Sequence, residues 1–101
     1  MGAWVYMLRC ADGSFYTGLT RHEDVGVRVN QHAESAPGTA YTSKRLPVEL
    51  VWAEWFERYD DAFASERRIK GWSRAKKEAL IERDYARISR LARRKGERFV
   101  L

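Results

Sequence analysis

Two tyrosines near the start of the chain, Tyr6 and Tyr16, stand ten residues apart on either side of Ala11-Asp12-Gly13. A phenol can transfer a proton or orient a nucleophile. Because its ordinary pKa is about 10, it needs a nearby positive charge or a metal-bound hydroxide to act as a base at neutral pH. Two phenols on one surface beside a gap would form a candidate site, so the pairing of the intervening hairpin matters.

Apolar runs on both sides of Ala11-Asp12-Gly13 predict a β-hairpin. A two-residue turn would pair residues whose numbers sum to 25 and would separate the phenols. A three-residue loop that ends in a left-handed glycine makes the sum 24. The pairs are then Tyr6 with Gly18 and Leu8 with Tyr16. Because side chains alternate along a strand, this register places both phenols on one face, with Gly18 leaving space between them.

A short helix after the hairpin carries two polar side chains on its predicted inner side. Val25, Arg28, Val29 and His32 recur at i, i+3, i+4 and i+7. A helix docked by its two valines would carry Arg28 and His32 toward the tyrosine face, one turn apart. The alternative is a helix edge from which Arg28 extends to solvent.

A second predicted helix, which ends at about Lys70, places a carboxylate on its inner side. Ala62, Glu66 and Ile69 lie on one stripe at i, i+4 and i+7. A carboxylate is seldom buried without a partner, and a cation is the simplest one. That cation is either Arg28 or Lys70 in an ion pair, or a bound metal ion.

The remaining segments complete a small α+β fold. Ala33 to Pro47 is predicted to be a long loop, in which Tyr41, Lys44 and Arg45 contact phosphates or bases, unless Tyr41 is buried and the cations are solvated. Val48 to Phe56 is predicted to be a third strand. It is apolar on both faces, which suits a central or doubly covered position.

The third strand should carry one set of side chains on each face, with Val48, Leu50 and Trp52 together. A last helix is predicted from Arg74 to about Arg93, with a basic outer surface that is either solvated or binds phosphates. Lys95 to Leu101 should fray or fold back. We therefore expect a three-stranded sheet, opened by a hairpin and flanked by three helices.

Composition limits the partners of this chain. At 101 residues it is long enough for one domain with a single core. Its net charge of +5 and isoelectric point near 9.7 predict attraction to nucleic acid or an anionic membrane surface. The single cysteine, Cys10, excludes an internal disulfide and a multi-cysteine zinc site, so we expect a reducing cytoplasmic setting. No apolar run suits a signal peptide or a membrane span, and we expect a soluble protein.

Taken in order, these motifs resemble the GIY-YIG nuclease superfamily in the form of its small stand-alone bacterial members. Its paired motifs correspond to Trp4-Val5-Tyr6 and Tyr16-Thr17-Gly18, although Trp4 replaces a glycine and Thr17 an isoleucine. The further matching blocks are 8–14, 28–32, 41–43, 46–51, 66–70 and 73–77. The resemblance implies a nuclease-like domain over residues 1–82, with residues 83–101 as a basic helical extension and tail of the same domain.

The resemblance implies a divalent-metal-dependent DNA endonuclease that is structure-selective and linked to DNA repair or recombination. Glu66 would bind one Mg²⁺ or Mn²⁺ ion, Tyr16 would act as general base and Arg28 would stabilise the transition state. Tyr6 would orient the nucleophile, and His32 would contact the phosphate or pass a proton. The expected contacts with DNA are Tyr41, Lys44, Arg45, Lys70, Arg74, Lys76 and Lys77.

Two alternatives to an enzyme remain at this point. The chain could be a module of the same fold that binds nucleic acid without cutting it. It could also use the basic C-terminal helix to bind a membrane surface or a protein. We expect DNA as the partner, with no membrane and no small-molecule cofactor.

Overall fold

A three-stranded antiparallel sheet organises the chain, whose computed structural model describes residues 1–36 and 38–94. The strands are β1 (Ala3–Cys10), β2 (Phe15–Thr20) and β3 (Val48–Phe56), in the order β2-β1-β3. The predicted sheet is confirmed, but β3 was expected to suit a central or doubly covered position, and β1 is the central strand. The burial explains this arrangement, because Val5, Tyr6, Met7 and Leu8 of β1 are fully buried.

The hairpin between β1 and β2 has the three-residue loop. Tyr6 lies opposite Gly18 and Leu8 opposite Tyr16, so the pairing sum of 24 is confirmed. Gly13 has a φ of +85°, in the region that favours glycine, and its N–H donates to the Cys10 carbonyl at 2.9 Å. The two phenols therefore lie on the same face of the sheet.

A bulge in β3 breaks the predicted alternation of its side chains. Met7 pairs with Trp52, whereas the next residue of β1, Leu8, pairs with Leu50. Val51 is the extra residue, so Trp52 and Leu50 lie on opposite faces instead of one. Trp52 is buried, while Leu50 is 39% exposed.

Five helices lie in the part of the chain that the structure describes. They are α1 (Val25–Ala33), α2 (Ala40–Ser43), α3 (Tyr59–Lys70), α4 (Arg74–Ile81) and α5 (Tyr85–Arg94). The α+β class is confirmed, with two differences from the three expected helices. The long loop contains the single turn α2, and the predicted last helix is divided into α4 and α5.

The division between α4 and α5 has a local cause. Arg83 adopts a left-handed φ of +56°, and the next N–H, of Asp84, donates back to the Ala79 carbonyl at 2.9 Å. The Asp84 carboxylate then accepts from the Arg87 N–H at 3.1 Å and caps α5. The apolar stripe of the two helices is nearly continuous, which is why periodicity alone predicted one helix.

The chain forms two compact units, Met1–Lys70 and Gly71–Leu101. The first contains the sheet and α1 to α3, and the second contains α4 and α5. The predicted tail, Lys95 to Leu101, lies outside the described residues. Among the helices that are described, none is long and apolar enough to cross a membrane.

Gly18 has a packing role that we can test. A Cβ atom built on Gly18 would overlap the Tyr6 phenol and lie 2.9 Å from the Tyr16 ring. We expect Gly18→Ala to lower the free energy of unfolding in urea by about 1–3 kcal/mol, because the buried ring cannot move aside freely. The control Gly13→Asn places a side chain in open space at a left-handed position and should cost less than about 1 kcal/mol. Equal stability of Gly18→Ala and wild type would contradict this packing.

Candidate active site

The two phenols of the hairpin lie close together, but they differ in environment. Tyr6 is fully buried and its ring lies over Gly18, while Tyr16 is half-buried. Their ring centroids are 6.4 Å apart. The space that was predicted between them is therefore occupied by the Tyr6 ring itself. Among the described residues, no group forms a hydrogen bond with the Tyr16 hydroxyl.

Helix α1 places His32 beside both phenols. The imidazole centroid lies 5.7 Å from that of Tyr6 and 5.0 Å from that of Tyr16, and His32 is fully buried. Asp24 caps this helix by accepting from the Gly26 N–H at 2.8 Å. For His32, the predicted inward orientation is therefore the one observed.

A chain of buried hydrogen bonds runs from Tyr6 to the backbone. The Tyr6 hydroxyl lies 2.8 Å from His32 Nε2, and His32 Nδ1 lies 2.7 Å from Thr42 Oγ1. Thr42 donates its one hydroxyl proton to the Thr39 carbonyl at 3.2 Å. We therefore assign the Nδ1–H tautomer to His32, which donates to Thr42, and assign the Tyr6 O–H as donor to Nε2.

Burial keeps both members of the Tyr6–His32 pair neutral. It lowers the pKa of His32 to about 4, and the nearby Arg28 guanidinium acts in the same direction. Burial also raises the pKa of Tyr6 to about 12. Tyr16 and Glu66 add to the rise in the Tyr6 pKa, whereas Arg28 opposes it by a hydrogen bond and by its charge. The structure thus brings the charges of Arg28 and Glu66 within electrostatic reach of one phenol.

Arg28 is held at the site by neutral groups. One terminal nitrogen of its guanidinium donates to Gln31 Oε1 at 2.8 Å, and the other donates to the Gly38 carbonyl at 3.3 Å. Within residues 1–36 and 38–94, no carboxylate forms an ion pair with Arg28. Its charge therefore remains available to an anionic ligand.

Glu66 of α3 is buried, as its position on the inner stripe predicted. Only 8% of the residue is exposed, and its carboxylate lies 2.9 Å from Lys70 Nζ. The ion pair with Lys70 is thus present, and the one with Arg28 is not. Glu66 also lines a pocket of about 440 Å³ together with Leu19, Phe63, Arg67 and Lys70. Tyr16 is not among the lining residues of that pocket.

The groups at this pocket fit one kind of metal ion. In the described part of the chain, no three His, Cys, Asp or Glu side chains lie together as a ligand cluster. Glu66 alone offers a hard oxygen ligand at the pocket. Such a donor set suits a small divalent ion that keeps most of its water ligands, such as Mg²⁺ or Mn²⁺.

The residues predicted to contact DNA in the long loop have partners within the protein. The Tyr41 hydroxyl donates to Ser14 Oγ at 2.9 Å, and the Arg45 guanidinium lies 3.8 Å above the Tyr41 ring centroid. Arg45 Nε also pairs with Asp12 at 3.1 Å. These contacts brace α2 against the hairpin loop, so the charge of Arg45 is largely offset. Lys44 is exposed.

The cations predicted to contact DNA beyond the loop differ in accessibility. Lys70 is 57% exposed at its side chain and pairs with Glu66. Arg74 pairs with Glu78 at 3.2 Å on the surface of α4. Lys76 is only 1% exposed, and its ammonium lies 5.1 Å from the Trp72 ring centroid, so it lies in the interior. Lys77 is half-buried.

Two residues that position the site were missed from the sequence. Gln31 lies three residues after Arg28 on α1, and this i, i+3 spacing could have indicated the hydrogen bond. Thr42 follows Tyr41 in a loop segment without periodicity. No local pattern showed that its hydroxyl reaches His32, which is ten residues away in the sequence.

The depressed pKa of His32 predicts acid sensitivity. The unfolded state binds a proton below a pH of about 6.5, whereas the folded state does so only near 4. The contribution of neutral His32 to the free energy of unfolding should therefore be fully present above about pH 6.5. It should be lost as the pH falls toward 4, which lowers the free energy of unfolding by on the order of 3 kcal/mol. Urea titrations of wild type and His32→Gln across this range measure the difference. A His32 that titrates near its ordinary value by NMR would contradict the prediction.

The tautomer of His32 is a second testable feature. We expect Thr42→Val to remove the acceptor of the Nδ1 proton, mix the two tautomers and cost about 1–3 kcal/mol of stability. Thr42→Ser keeps the hydroxyl and should keep the Nδ1–H form. The nitrogen chemical shifts of the imidazole distinguish these outcomes. A protonated Nε2 in the wild type would show that the assigned direction of the hydrogen bonds is wrong.

Comparisons with known proteins agree with this architecture. Residues 2–79 match the profile of the family described as the GIY-YIG catalytic domain. UPF0213 proteins of Staphylococcus aureus strains Mu50 and N315 are 42% identical over 79 residues, which cover 78% of this chain and 93% of theirs.

A solved structure supports the same grouping. The NMR solution structure of the UPF0213 protein BH0048 from Bacillus halodurans is 41% identical in sequence, with a TM-score of 0.52, and the match covers 81% of this chain and 84% of that one. The family match covers most of the chain, and the Bacillus halodurans protein matches it in fold as well as in sequence. This chain belongs to the GIY-YIG domain family, a family of nucleases.

Proposed function

We propose that this chain is a divalent-metal-dependent endonuclease that hydrolyses DNA phosphodiester bonds. One observation carries the proposal: Tyr16 and His32 lie against the buried Tyr6 phenol, and the charges of Arg28 and Glu66 both act on its pKa. They provide hydroxyl groups, a cation and a carboxylate, which are the groups that phosphodiester hydrolysis needs.

The hydrogen bonds of Tyr6 support a role in orienting the nucleophile. Its proton is directed to His32 Nε2, so its oxygen can accept hydrogen bonds from Arg28 and from one further donor. A water that donates to this oxygen would be fixed in direction. With its pKa near 12, Tyr6 itself would stay protonated.

Tyr16 is the better candidate for general base. Its hydroxyl has no hydrogen-bond partner in the described part of the chain, so the phenolate that forms when Tyr16 loses its proton to solvent would be free to accept the proton of the attacking water. Arg28 carries a charge that no described carboxylate pairs with, and it would stabilise the extra negative charge of the transition state.

Glu66 would hold the divalent ion, Mg²⁺ or Mn²⁺, at the pocket that it lines. When bound, the ion would add positive charge beside the scissile phosphate. Lys70 would then be released from its pair with Glu66 and could contact a phosphate instead. The net charge of +5 favours DNA as the polyanion. Such an enzyme would work in the cytoplasm, on branched or damaged DNA in repair or recombination.

The ion pair between Glu66 and Lys70 favours a second candidate, a module of the same fold that binds nucleic acid without cutting it. The Glu66 carboxylate already has a cation 2.9 Å away, so the protein does not need a metal ion to balance that charge. The two candidates differ in cleavage and not in binding.

A cleavage assay on supercoiled, branched and single-stranded DNA with Mg²⁺ or Mn²⁺ tests the enzyme. We expect Tyr16→Phe and Glu66→Gln each to lower the cleavage rate by at least about a hundredfold, because each removes a group that acts on the reacting atoms. Binding measured by fluorescence anisotropy should change little. Tyr85→Phe and Glu49→Gln, on exposed surface, are the matched controls. Binding by the wild type without cleavage under any condition would leave the second candidate.

A further inference from the structure

A row of two aromatic rings between two cations, which we call the aromatic stripe, lies on the outer side of α3. It consists of Arg21, which directly follows β2, and Tyr59, Phe63 and Arg67. The last three recur every four residues, so they lie on one side of the helix. None of these residues has been given a role in the reaction, although Phe63 and Arg67 also line the pocket of Glu66.

The contacts along the stripe are continuous. The Arg21 guanidinium lies 3.8 Å from the Tyr59 ring centroid. The Tyr59 and Phe63 centroids are 6.1 Å apart, with an angle of 31° between the rings. The Arg67 guanidinium lies 5.5 Å from the Phe63 centroid. Phe63 is nevertheless 42% exposed, which leaves a large apolar surface in water.

The two cations of the stripe are not neutralised. Among residues 1–36 and 38–94, no carboxylate forms an ion pair with Arg21 or Arg67. A hollow of about 440 Å³ at the Arg21 end is lined by Met1, Arg21, Arg58, Tyr59 and Asp60, so two arginines and one aspartate border it. An anion is therefore the complementary ligand at both ends of the stripe.

An exposed ring, Phe63, and a half-buried ring, Tyr59, between two cations without ion pairs among the described residues match the chemistry of a single-stranded nucleic acid. Its bases stack on aromatic side chains, while its phosphates contact the neighbouring cations. A duplex offers its phosphates but keeps its bases stacked on one another, so it could not use the rings. A single strand fits both features of the stripe.

One end of the stripe adjoins the pocket of Glu66. Phe63 and Arg67 line that pocket together with Glu66 and Lys70. A strand lying on the stripe would thus reach the carboxylate assigned above to the metal ion.

We propose that the aromatic stripe binds unpaired nucleotides next to the cleaved bond, so that the preferred DNA contains a single-stranded segment there. The position of the stripe next to the cleaved bond rests on the proposed function. The binding of single-stranded DNA by the stripe does not depend on cleavage. Base stacking on Phe63 and Tyr59 supplies the preference for unpaired bases. Arg21 and Arg67 supply the affinity for phosphate.

The test measures binding without cleavage, in EDTA, by the anisotropy of a fluorescent oligothymidine and of a blunt duplex of equal length. We expect Phe63→Ala and Tyr59→Ala each to weaken oligothymidine binding by about five- to a hundredfold, and duplex binding by less than about twofold. Phe63→Trp keeps a ring and should preserve binding. Arg67→Gln should reduce the salt dependence of single-strand binding by about 0.7 in log–log slope.

Tyr85→Ala is the matched aromatic control, and Arg9→Gln is the control for loss of one charge. Urea midpoints verify that each variant folds. Equal effects of Phe63→Ala on both DNA forms, or no effect beyond that of Tyr85→Ala, would overturn the proposal. So would a wild-type dimer that Phe63→Ala dissociates in sedimentation, since a second copy would then cover the stripe. A protein that binds the single strand through Phe63 but never cleaves would refute the enzyme and not the stripe.

Discussion

The register of one hairpin determines whether this chain has a site at all. Because side chains alternate, a shift of one residue between β1 and β2 would place Tyr6 and Tyr16 on opposite faces of the sheet. The loop sets the register, since a left-handed Gly13 makes room for three loop residues. His32 can lie against both phenols only because the hairpin has already brought them to one surface.

Burial then gives the two phenols different properties. Tyr6 lies under α1, where its hydroxyl proton is directed to His32 and its pKa rises to about 12. Tyr16 is only half-buried, and no described group forms a hydrogen bond with its hydroxyl. Two chemically identical side chains can thus take separate roles, one in orientation and one in proton transfer, because of their positions on adjacent strands.

Features that depend on local rules could be predicted from the sequence, and features that depend on distant contacts could not. The hairpin register and the inward placement of Glu66 follow from turn chemistry and helical periodicity. The bulge at Val51 cannot be recognised from the sequence, because the strand is apolar on both faces and has no alternation that the bulge would interrupt. The prediction that Leu50 and Trp52 share a face was therefore wrong. The predicted long helix missed a break that an unexpected left-handed Arg83 creates. The hydrogen bond between Thr42 and His32 could not be predicted, because it depends on how the loop packs against α1.

Burying the hydrogen-bonded chain of Tyr6, His32 and Thr42 costs free energy of desolvation. We infer from this cost that the chain serves the chemistry of the site. Tyr6, His32 and Thr42 are each fully buried, and their hydrogen bonds offset most of the cost of removing them from water. Apolar side chains of similar size would pack there at little or no cost, and without the loss of stability in acid that the His32 pKa of about 4 implies. Stability alone therefore does not account for these residues. A hydrogen-bond chain that ends on a backbone carbonyl fixes where the Tyr6 proton lies, and a defined proton is useful only if a reactant is oriented by it.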